Sequence, residues 1–497
     1  MKPNTYLFDL IHALSKSEKR FFKLQTNYSC KSEASNYILL FDAIDKMSDY
    51  DEGKLRKKLK AYHFSTQLTK TKYLLYNLIL KTLNHLRHNS SATQKLANDL
   101  RNIELLYQKS LYTQSYALTK KAQKKATRLE LNDFSLAFTN WEIKLLAYLP
   151  IPKQLEYTQQ LIDKSQLIAT LLDKEHNLNN LLTRAQLHCN NSTFDFSDAS
   201  SPLHWVPQES GSLSQENSFL SVIYTYEIQA IQAQYQSQFK KAIHAYEEIL
   251  LRWKANQEKI PAFRNIYLRT ISGYIHCSLN VTNQINYDAL LHDLKQLPAR
   301  SNQEQQKMKL FVDSLEFIIQ VSQNNLEVSK LLWMNLSETL EAYQHSMQTN
   351  WLISLKYHIC IFHFLKGDYQ ETRHWVAQIN KSPIIKHSPQ IQNYCKLIDL
   401  LSLYELQDYD ALEYDIRKTY RYLREKRQYK EIESVVLSAV QKLLNAKHIH
   451  EQAKIFTHLH QSLQYLEQEN IFQLVGPNVI FQWVVDKLPQ NDKSILN

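Results

Sequence analysis

Apolar side chains recur along this chain at intervals of three and four residues, and short polar turns separate the apolar segments. This spacing places the apolar side chains on one face of an α-helix. Ser15 followed three residues later by Glu18 forms a capping box, which predicts that a helix begins there. Further helices are predicted from about Ser35, over 54–60 and over 69–86. The pattern therefore predicts an all-α protein.

A second pattern recurs after residue 90. An aromatic or apolar residue follows a polar turn, and a small or apolar residue stands three positions later. The pairs are Tyr112 and Ser115, Phe239 and Ala242, Tyr287 and Leu290, Leu326 and Ser329, Tyr369 and Thr372, Tyr409 and Leu412, and His450 and Ala453. From Phe239 to His450 the successive first members lie 39 to 48 residues apart. A period near 40 predicts an α-solenoid of stacked helical hairpins, because one hairpin cannot bury its apolar face alone.

These features divide the chain into five segments. They are a small basic helical domain at 1–88, the first helical hairpins at 89–190, a long loop containing Ser and Pro at 191–216, the hairpin array at 217–475, and a C-terminal capping helix and tail at 476–497. In the last segment, Ile480, Trp483 and Val484 form an apolar stripe. We expect this stripe to cover the open end of the array, against Leu459 or Leu463.

Glycine is scarce, with five in 497 residues, where average usage would give roughly 35. The five glycines stand alone, so no dinucleotide-binding fingerprint, phosphate-binding loop or nucleophile elbow can be written. No H-E-x-x-H zinc motif occurs, and the carboxylates are dispersed. His358 and His363 are five residues apart and cannot share a helix face. We therefore expect a protein that is not an enzyme and that uses no cofactor or metal.

Five scattered cysteines with no C-x-x-C argue against a disulfide framework. The N-terminal residues lack the apolar core and cleavage site of a signal peptide. No run of about 18 apolar residues occurs that could span a membrane. The expected location is the cytoplasm, with no membrane partner.

The net charge of +10 is concentrated near the start, because residues 1–90 hold 16 Lys and Arg against 8 Asp and Glu. In the basic helix predicted over 54–60, Leu55 and Leu59 form the buried stripe. The cations that would face water are Lys54, Arg56, Lys57, Lys58 and Lys60, of which the first four are the candidate nucleic-acid-binding residues. The first interpretation is a solvated helix face. The alternative is a contact with nucleic acid or with an acidic partner.

A second basic group lies near the end of the array. Arg417, Arg421 and Arg424 stand at i, i+4 and i+7, which places them on one face of a helix. Such a face is solvated, or paired within the chain, or available to an anion or an acidic peptide. These three arginines are the candidate partner-binding residues.

The segments KGDYQETRHWV and QDYDALEYDI resemble the tetratricopeptide repeat at the junction of its two helices. That family places glycine there, an aromatic residue two later and alanine three after that. This chain keeps the glycine only at Gly367, and the alanine at Ala242 and Ala453. More widely, LFDLIHALSKSEKRFFKL, IELLYQKSLY and TYRYLREKRQY look like an uncharacterised family of long tetratricopeptide-like proteins of Bacteroidota. The resemblance implies a helical-repeat fold and implies no activity.

We therefore expect a non-enzymatic helical-repeat scaffold that binds a peptide or protein partner on the concave face of its array. The alternative is a regulator whose basic N-terminal region binds nucleic acid. Placement of the basic residues discriminates between them. A continuous positive face favours nucleic acid, whereas paired or scattered charges favour the scaffold.

We predict that replacing Lys54, Arg56, Lys57 and Lys58 together by glutamine leaves folding stability and partner binding unchanged. A helix with a buried leucine stripe must show polar groups to water, and lysine serves that purpose. The check is a titration of labelled DNA and RNA at two salt concentrations. Micromolar binding by the wild type that disappears in the variant would favour the nucleic-acid alternative, since each lost phosphate contact lowers the salt slope by about one.

Overall fold

The structure is a computed structural model of the whole chain. It describes residues 5–29, 34–60, 62, 67–87, 91–150, 153–189, 217–236, 238–279, 281, 287–299, 301–344, 347, 349–382, 389–425, 431–446, 448–468 and 476–488. The predicted loop at 191–216 and the tail beyond residue 488 lie outside these residues. Within the described ranges the regular structure is helical, with 22 α-helices and no strand, so the all-α prediction is confirmed.

The helices are numbered in chain order. They are α1 (Tyr6–Ala13), α2 (Lys16–Ser29), α3 (Ala34–Asp45), α4 (Glu52–Leu59), α5 (Leu68–Arg87), α6 (Ala92–Gln108), α7 (Tyr112–Arg128), α8 (Asn132–Leu146), α9 (Gln154–Cys189), α10 (Phe219–Tyr235), α11 (Phe239–Ala255), α12 (Arg264–Ser278), α13 (Asp288–Lys295), α14 (Asn302–Ser322), α15 (Leu326–Tyr343), α16 (Thr349–Leu365), α17 (Tyr369–Asn380), α18 (Pro389–Glu405), α19 (Tyr409–Glu425), α20 (Glu431–Asn445), α21 (Ile449–Gln468) and α22 (Gly476–Lys487). Over the described residues, no helix combines the length and apolar character needed to cross a membrane.

The chain forms two compact units. The first comprises Met1–Arg128, Ala137–Gln159 and Ala299–Gln305, and the second comprises Leu129–Leu136, Gln160–Pro298 and Gln306–Asn497. In the first unit, helices α1, α2, α3 and α5 pack around one core. The rings of Phe22 and Phe41 stack in that core with their centroids 4.8 Å apart.

The predicted capping box at the start of α2 is confirmed. The backbone N–H of Ser15 donates to Oε2 of Glu18 at 2.8 Å, and the N–H of Glu18 donates to Oγ of Ser15 at 3.2 Å. Each side chain thus satisfies a backbone donor that the first helical turn leaves without a partner. The polar pair fixes the point at which α2 begins.

Four turns between paired helices share one geometry. Two residues before the second helix of each of these four pairs, the backbone adopts a positive φ: 59° at Ser110, 58° at Asn324, 79° at Gly367 and 57° at Gln407. The next N–H donates back across five residues, as from Asp368 to the carbonyl of His363 at 2.8 Å. This is the Schellman arrangement that ends many helices, and it is usually built on glycine. Here glycine fills the left-handed position only at Gly367 among these four turns, so the other three accept the cost of a side chain there.

The small or apolar residue predicted three positions into each second helix is fully buried at five of the seven predicted positions. Ser115, Ala242, Ser329, Thr372 and Leu412 have no exposed surface. At the other two positions the residue is only half-buried, namely Leu290 and Ala453. A residue at this position faces the first helix of its pair, as Ser115 does when its Oγ donates to the carbonyl of Ile103 at 3.0 Å. Close approach of the two helices is therefore the reason for the pattern.

In the second unit each helix from α16 to α22 packs against the next helix in the chain. The first helices of consecutive pairs also pack side by side, α16 on α18 and α18 on α20. One continuous core runs through these helices. Helix α9 runs without a break from Gln154 to Cys189, because no proline or glycine interrupts it.

Gly273 lies inside α12, where it faces the buried ring of Tyr246 from α11. A Cβ added at Gly273 would stand 2.3 Å from the Tyr246 hydroxyl oxygen and 2.4 Å from its Cζ. Glycine inside a helix costs about 1 kcal/mol relative to alanine. In this position the absence of a side chain is required by the tyrosine.

We predict that Gly273→Ala lowers the free energy of unfolding by about 1 to 3 kcal/mol, the usual range for overpacking a core. The measurement is urea denaturation followed by circular dichroism. Gly53→Ala in α4 is the matched control, since its new Cβ would meet only the Asp51 side-chain oxygen, at 3.2 Å. A stabilising effect of Gly273→Ala would contradict the steric explanation.

Candidate partner-binding surfaces

The predicted arginine group lies on one exposed face of α19. Arg417, Arg421 and Arg424 are exposed, while Leu412 and Ile416 are buried on the opposite side. Two of the three guanidinium groups are held by their own helix. Arg417 forms an ion pair with Glu413, and Nη1 of Arg424 donates to the hydroxyl of Tyr420 at 3.2 Å. The structure thus brings the three arginines together, and their role in binding stays a prediction.

The predicted cations of α4 are all exposed: Lys54, Arg56, Lys57 and Lys58. Two of them face acids of the same helix start. Asp51 lies 3.8 Å from Nζ of Lys54, and Glu52 lies 2.8 Å from Nη2 of Arg56. The hydrogen bond from Arg56 lowers the pKa of Glu52, and Lys72 acts in the same direction. These acids weaken the positive field that an anionic partner would meet.

A third basic face lies on α7 and was not predicted from the sequence. Its members are Lys120, Lys121, Lys124, Lys125 and Arg128. At 3.6 residues per turn they fall within a sector of about 140°. Nζ of Lys120 donates to the buried carboxylate of Glu142 at 2.9 Å. Burial raises the pKa of Asp99, and the charges of Lys125 and Lys121 oppose that rise. The repeat at i, i+4 and i+8 is the signal that could have identified this face.

Helix α22 is seated on α16, α18 and α21. Its buried stripe consists of Ile480, Trp483 and Val484, with exposures of 0%, 5% and 0%. The indole ring of Trp483 meets the ring of Phe456 at 5.4 Å and that of Tyr404 at 6.1 Å, edge to face in both cases. Helix α22 thus contacts α18 and α16 in addition to α21 of the last hairpin, where the apolar stripe was expected to lie.

A carboxylate of α18 fixes α22 in this seat. Nε1 of Trp483 donates to Oε1 of Glu405 at 2.8 Å. Nζ of Lys487 lies 2.8 Å from the same carboxylate, whose side chain is only 12% exposed. Trp483 and Lys487 are one turn apart, so both reach Glu405 from the same face of α22. Hydrophobic pattern alone could not identify this contact, because Glu405 and Trp483 are separated by 78 residues.

A cavity of about 40 Å³ lies where α12, α14, α16 and α18 meet. This volume has room for about three water molecules. Among the described residues, no Asp, Glu, Lys or Arg lines it. The lining residues are Ser272, Ile275, His276, Leu279, Ile318, Trp351, Ser354, Tyr357, His358 and Ile391. The cavity is therefore a mixed surface of apolar side chains, hydroxyls and imidazoles.

Two histidines of the cavity differ in depth. His358 is 5% exposed, and its Nδ1 lies 2.7 Å from the carbonyl of Ser354, so Nδ1 carries the proton and donates it. Burial lowers the pKa of His358 to about 4. His276 is exposed, yet the protein surrounds it closely enough to lower the pKa of its ring as well.

The cavity and the α22 seat lie on the same stripe of the helices that form them. On α18, Ile391 and Glu405 are fourteen residues apart. At 3.6 residues per turn, their side chains leave the helix in directions that differ by only about 40° around its axis. On α16, Trp351, His358 and Leu365 repeat every seven residues and so share one stripe. Helix α22 contacts the C-terminal end of this stripe on α18, at Tyr404 and Glu405, and the cavity lies at the N-terminal end, at Trp351 and Ile391. We call the stripe formed by Trp351, His358, Ile391 and Glu405 the first-helix face.

In the described part of the chain, no three His, Cys, Asp or Glu side chains come close enough to hold a metal ion. His450 and His458 are exposed, whereas His460 is buried against Phe481.

Comparison of the chain with family models, with curated proteins and with solved structures finds no match.

We predict that the buried imidazole of His358 lowers the free energy of unfolding in mild acid. Its pKa is about 4 in the folded chain, against about 6.5 for an unperturbed histidine. Between these values the unfolded chain binds a proton that the folded chain does not, so stability falls as the pH falls from about 6.5 to about 4. The loss from this group is about 3 kcal/mol. Urea denaturation at stepped pH measures it.

In His358→Phe this part of the pH dependence should disappear, because the side chain no longer takes up a proton. If the curves of the variant and the wild type run parallel from pH 6.5 to pH 4, burial of His358 is not the source.

Proposed function

We propose that the chain is a non-enzymatic helical-repeat scaffold of the tetratricopeptide type that binds a helical segment of a partner protein. The binding surface is the first-helix face, which becomes the concave face if the hairpins stack as a solenoid. The observation that carries the proposal is the seat of α22. This face already binds one amphipathic helix, through side chains of a separate segment of the chain.

The seat has the anchors of helix-in-groove recognition. Ile480, Trp483, Val484 and Lys487 stand at i, i+3, i+4 and i+7, the spacing by which an amphipathic helix enters an apolar groove. Trp483 is the central anchor, and tryptophan is among the residues that most often dominate binding energy at interfaces. Glu405 supplies the directional contact that sets the position of the helix along the groove.

The hairpins support the wider scaffold assignment. Four turns repeat one backbone geometry, and five buried residues repeat one position in the second helix. Repeated units that contact chiefly their neighbours create extended surfaces suited to binding peptides. The N-terminal end of the first-helix face, with its cavity at His276 and Trp351, is where a partner could lie beside α22.

The second candidate is a regulator that binds nucleic acid through its basic N-terminal region. The basic face of α7 favours it, because Lys124 and Arg128 are exposed on the same side as three further lysines. The pairing of Lys54 with Asp51 and of Arg56 with Glu52 favours the scaffold instead. Surface pairs of this kind reduce the net field available to phosphates.

We predict that a synthetic peptide of residues 476–488 binds the intact chain when the chain's own α22 is released from its seat. Release is achieved by Trp483→Ala, or by Ile480→Asp together with Val484→Asp. The wild-type chain should bind the labelled peptide more weakly, because its own helix competes at high effective concentration. Fluorescence anisotropy measures binding, and circular dichroism confirms that the variants fold.

The receptor side provides the control. Glu405→Lys in the released chain should abolish binding of the wild-type peptide, and a Lys487→Glu peptide should recover part of it by restoring opposite charges. If the released chain folds but binds no peptide, α22 is only a structural cap, and the proposal loses its support.

A further inference from the structure

A stripe of apolar side chains on α15 is exposed. Val328, Leu331 and Met334 have exposed fractions of 44%, 65% and 65%. Val328 and Met334 each stand three residues from Leu331, so each lies about 60° from Leu331 around the helix axis. The opposite side of α15 is buried through Ser329, Leu336 and Leu340. The exposed stripe is thus a second apolar face of this helix, which the core does not use.

Acidic residues bracket the apolar stripe along the helix. Glu327 precedes Val328, and Glu338 follows Met334 by one turn on the same side. Eleven residues separate the two glutamates, which corresponds to about 16 Å at the helical rise. Both are exposed. Glu341, also exposed, extends the acidic end by one further turn.

We propose that this α15 face, defined by Glu327, Val328, Leu331, Met334 and Glu338, is a docking surface for a basic amphipathic helix of a partner protein. The apolar side of the partner covers Leu331 and Met334. Two cationic side chains of the partner, about three turns apart, meet Glu327 and Glu338. The surface is separate from the first-helix face, and it does not depend on the function proposed for that face.

Charge selects this occupant over others. Nucleic acid and anionic membrane surfaces carry negative charge, which the glutamates repel. An acidic peptide is excluded for the same reason. An apolar stripe with acidic ends offers burial to a helix and ion pairs to its basic ends, and complementary charge sets both orientation and specificity. The unbranched side chain of Met334 adapts to partners of different shape.

The apolar stripe is short, and its length limits how many apolar side chains a partner can place on it. From Val328 to Met334 the rise is about 9 Å, less than two turns of helix. The apolar part of the partner therefore needs only two or three large side chains on one stripe. The cations must lie beyond them at both ends, because the glutamates flank the stripe and do not interrupt it.

The test uses a synthetic 18-residue helical peptide with leucines on one stripe and two arginines eleven residues apart on the same face. The control peptide has the same composition with both arginines moved to the opposite face. We expect saturable binding of the first peptide to the intact chain by fluorescence anisotropy. Binding of the control should be at least about tenfold weaker, a factor that corresponds to 1.4 kcal/mol.

Variants of the chain locate the site. Leu331→Glu should weaken binding at least about tenfold, and it should not affect folding because the side chain is 65% exposed. Leu251→Glu on α11, at a leucine with 60% exposure, is the matched control and should leave binding unchanged. Glu327→Lys with Glu338→Lys should reverse the preference, so that a peptide with glutamates in place of the arginines binds better.

Equal binding of the two peptides, or equal loss in Leu331→Glu and Leu251→Glu, would overturn the proposal, because either result describes non-specific adsorption to apolar surface. The absence of saturable binding by the first peptide would overturn it as well. None of these outcomes bears on the α22 seat, whose residues the variants do not touch.

Discussion

Burial of α16 is the constraint on which the second unit depends. From Tyr357 to Phe362 six consecutive side chains of this helix are buried, including His358 and Cys360. Consecutive residues point all around a helix, so a run of this kind must be covered on every side. Helices α15, α17, α18 and α22 provide that cover. Removal of any one of these helices would expose apolar side chains to water, and the free-energy cost is about 25 cal/mol for each Å² of apolar surface exposed.

This constraint explains why α22 folds back onto α16 and α18. A cap on the last hairpin alone would leave part of α16 facing water. Helix α22 therefore serves the core and at the same time occupies the first-helix face as a bound partner would. The two roles are compatible because both use the same stripe, in which Ile480 and Val484 are buried and Trp483 is 5% exposed.

Local rules were sufficient to predict the helical class and several of the elements of this fold. The capping box at Ser15 and Glu18 and the buried positions of Ser115 and Thr372 follow from spacing within one hairpin. Contacts between distant segments do not follow from spacing. The carboxylate of Glu405 meets Trp483 across 78 residues. The cavity at His358 likewise exists only where four helices converge.

The surfaces of the chain differ in charge as well as in position. The exposed faces of α4, α7 and α19 carry lysine and arginine, in part neutralised by acids such as Glu52, Glu142 and Glu413. The α15 face carries glutamates around exposed apolar side chains instead. A net charge of +10 therefore describes no single surface. Each surface is selective by its own local charge, because charge complementarity acts over about 8 Å at physiological ionic strength.

Glu405 has a further consequence for the seat of α22. The ion pair between Glu405 and the 37% exposed side chain of Lys487 contributes little net stability, because the lysine is partly screened by water and desolvation of the carboxylate offsets much of the attraction. Apolar residues of similar size in place of Glu405 and Lys487 would hold α22 at least as strongly, and they would accept many alternative positions along the groove. The carboxylate accepts two donors from consecutive turns of α22, so a helix shifted by one residue loses both. The geometry is therefore better explained by selection of one helix in one position than by stability, and selection of that kind is what a binding surface requires.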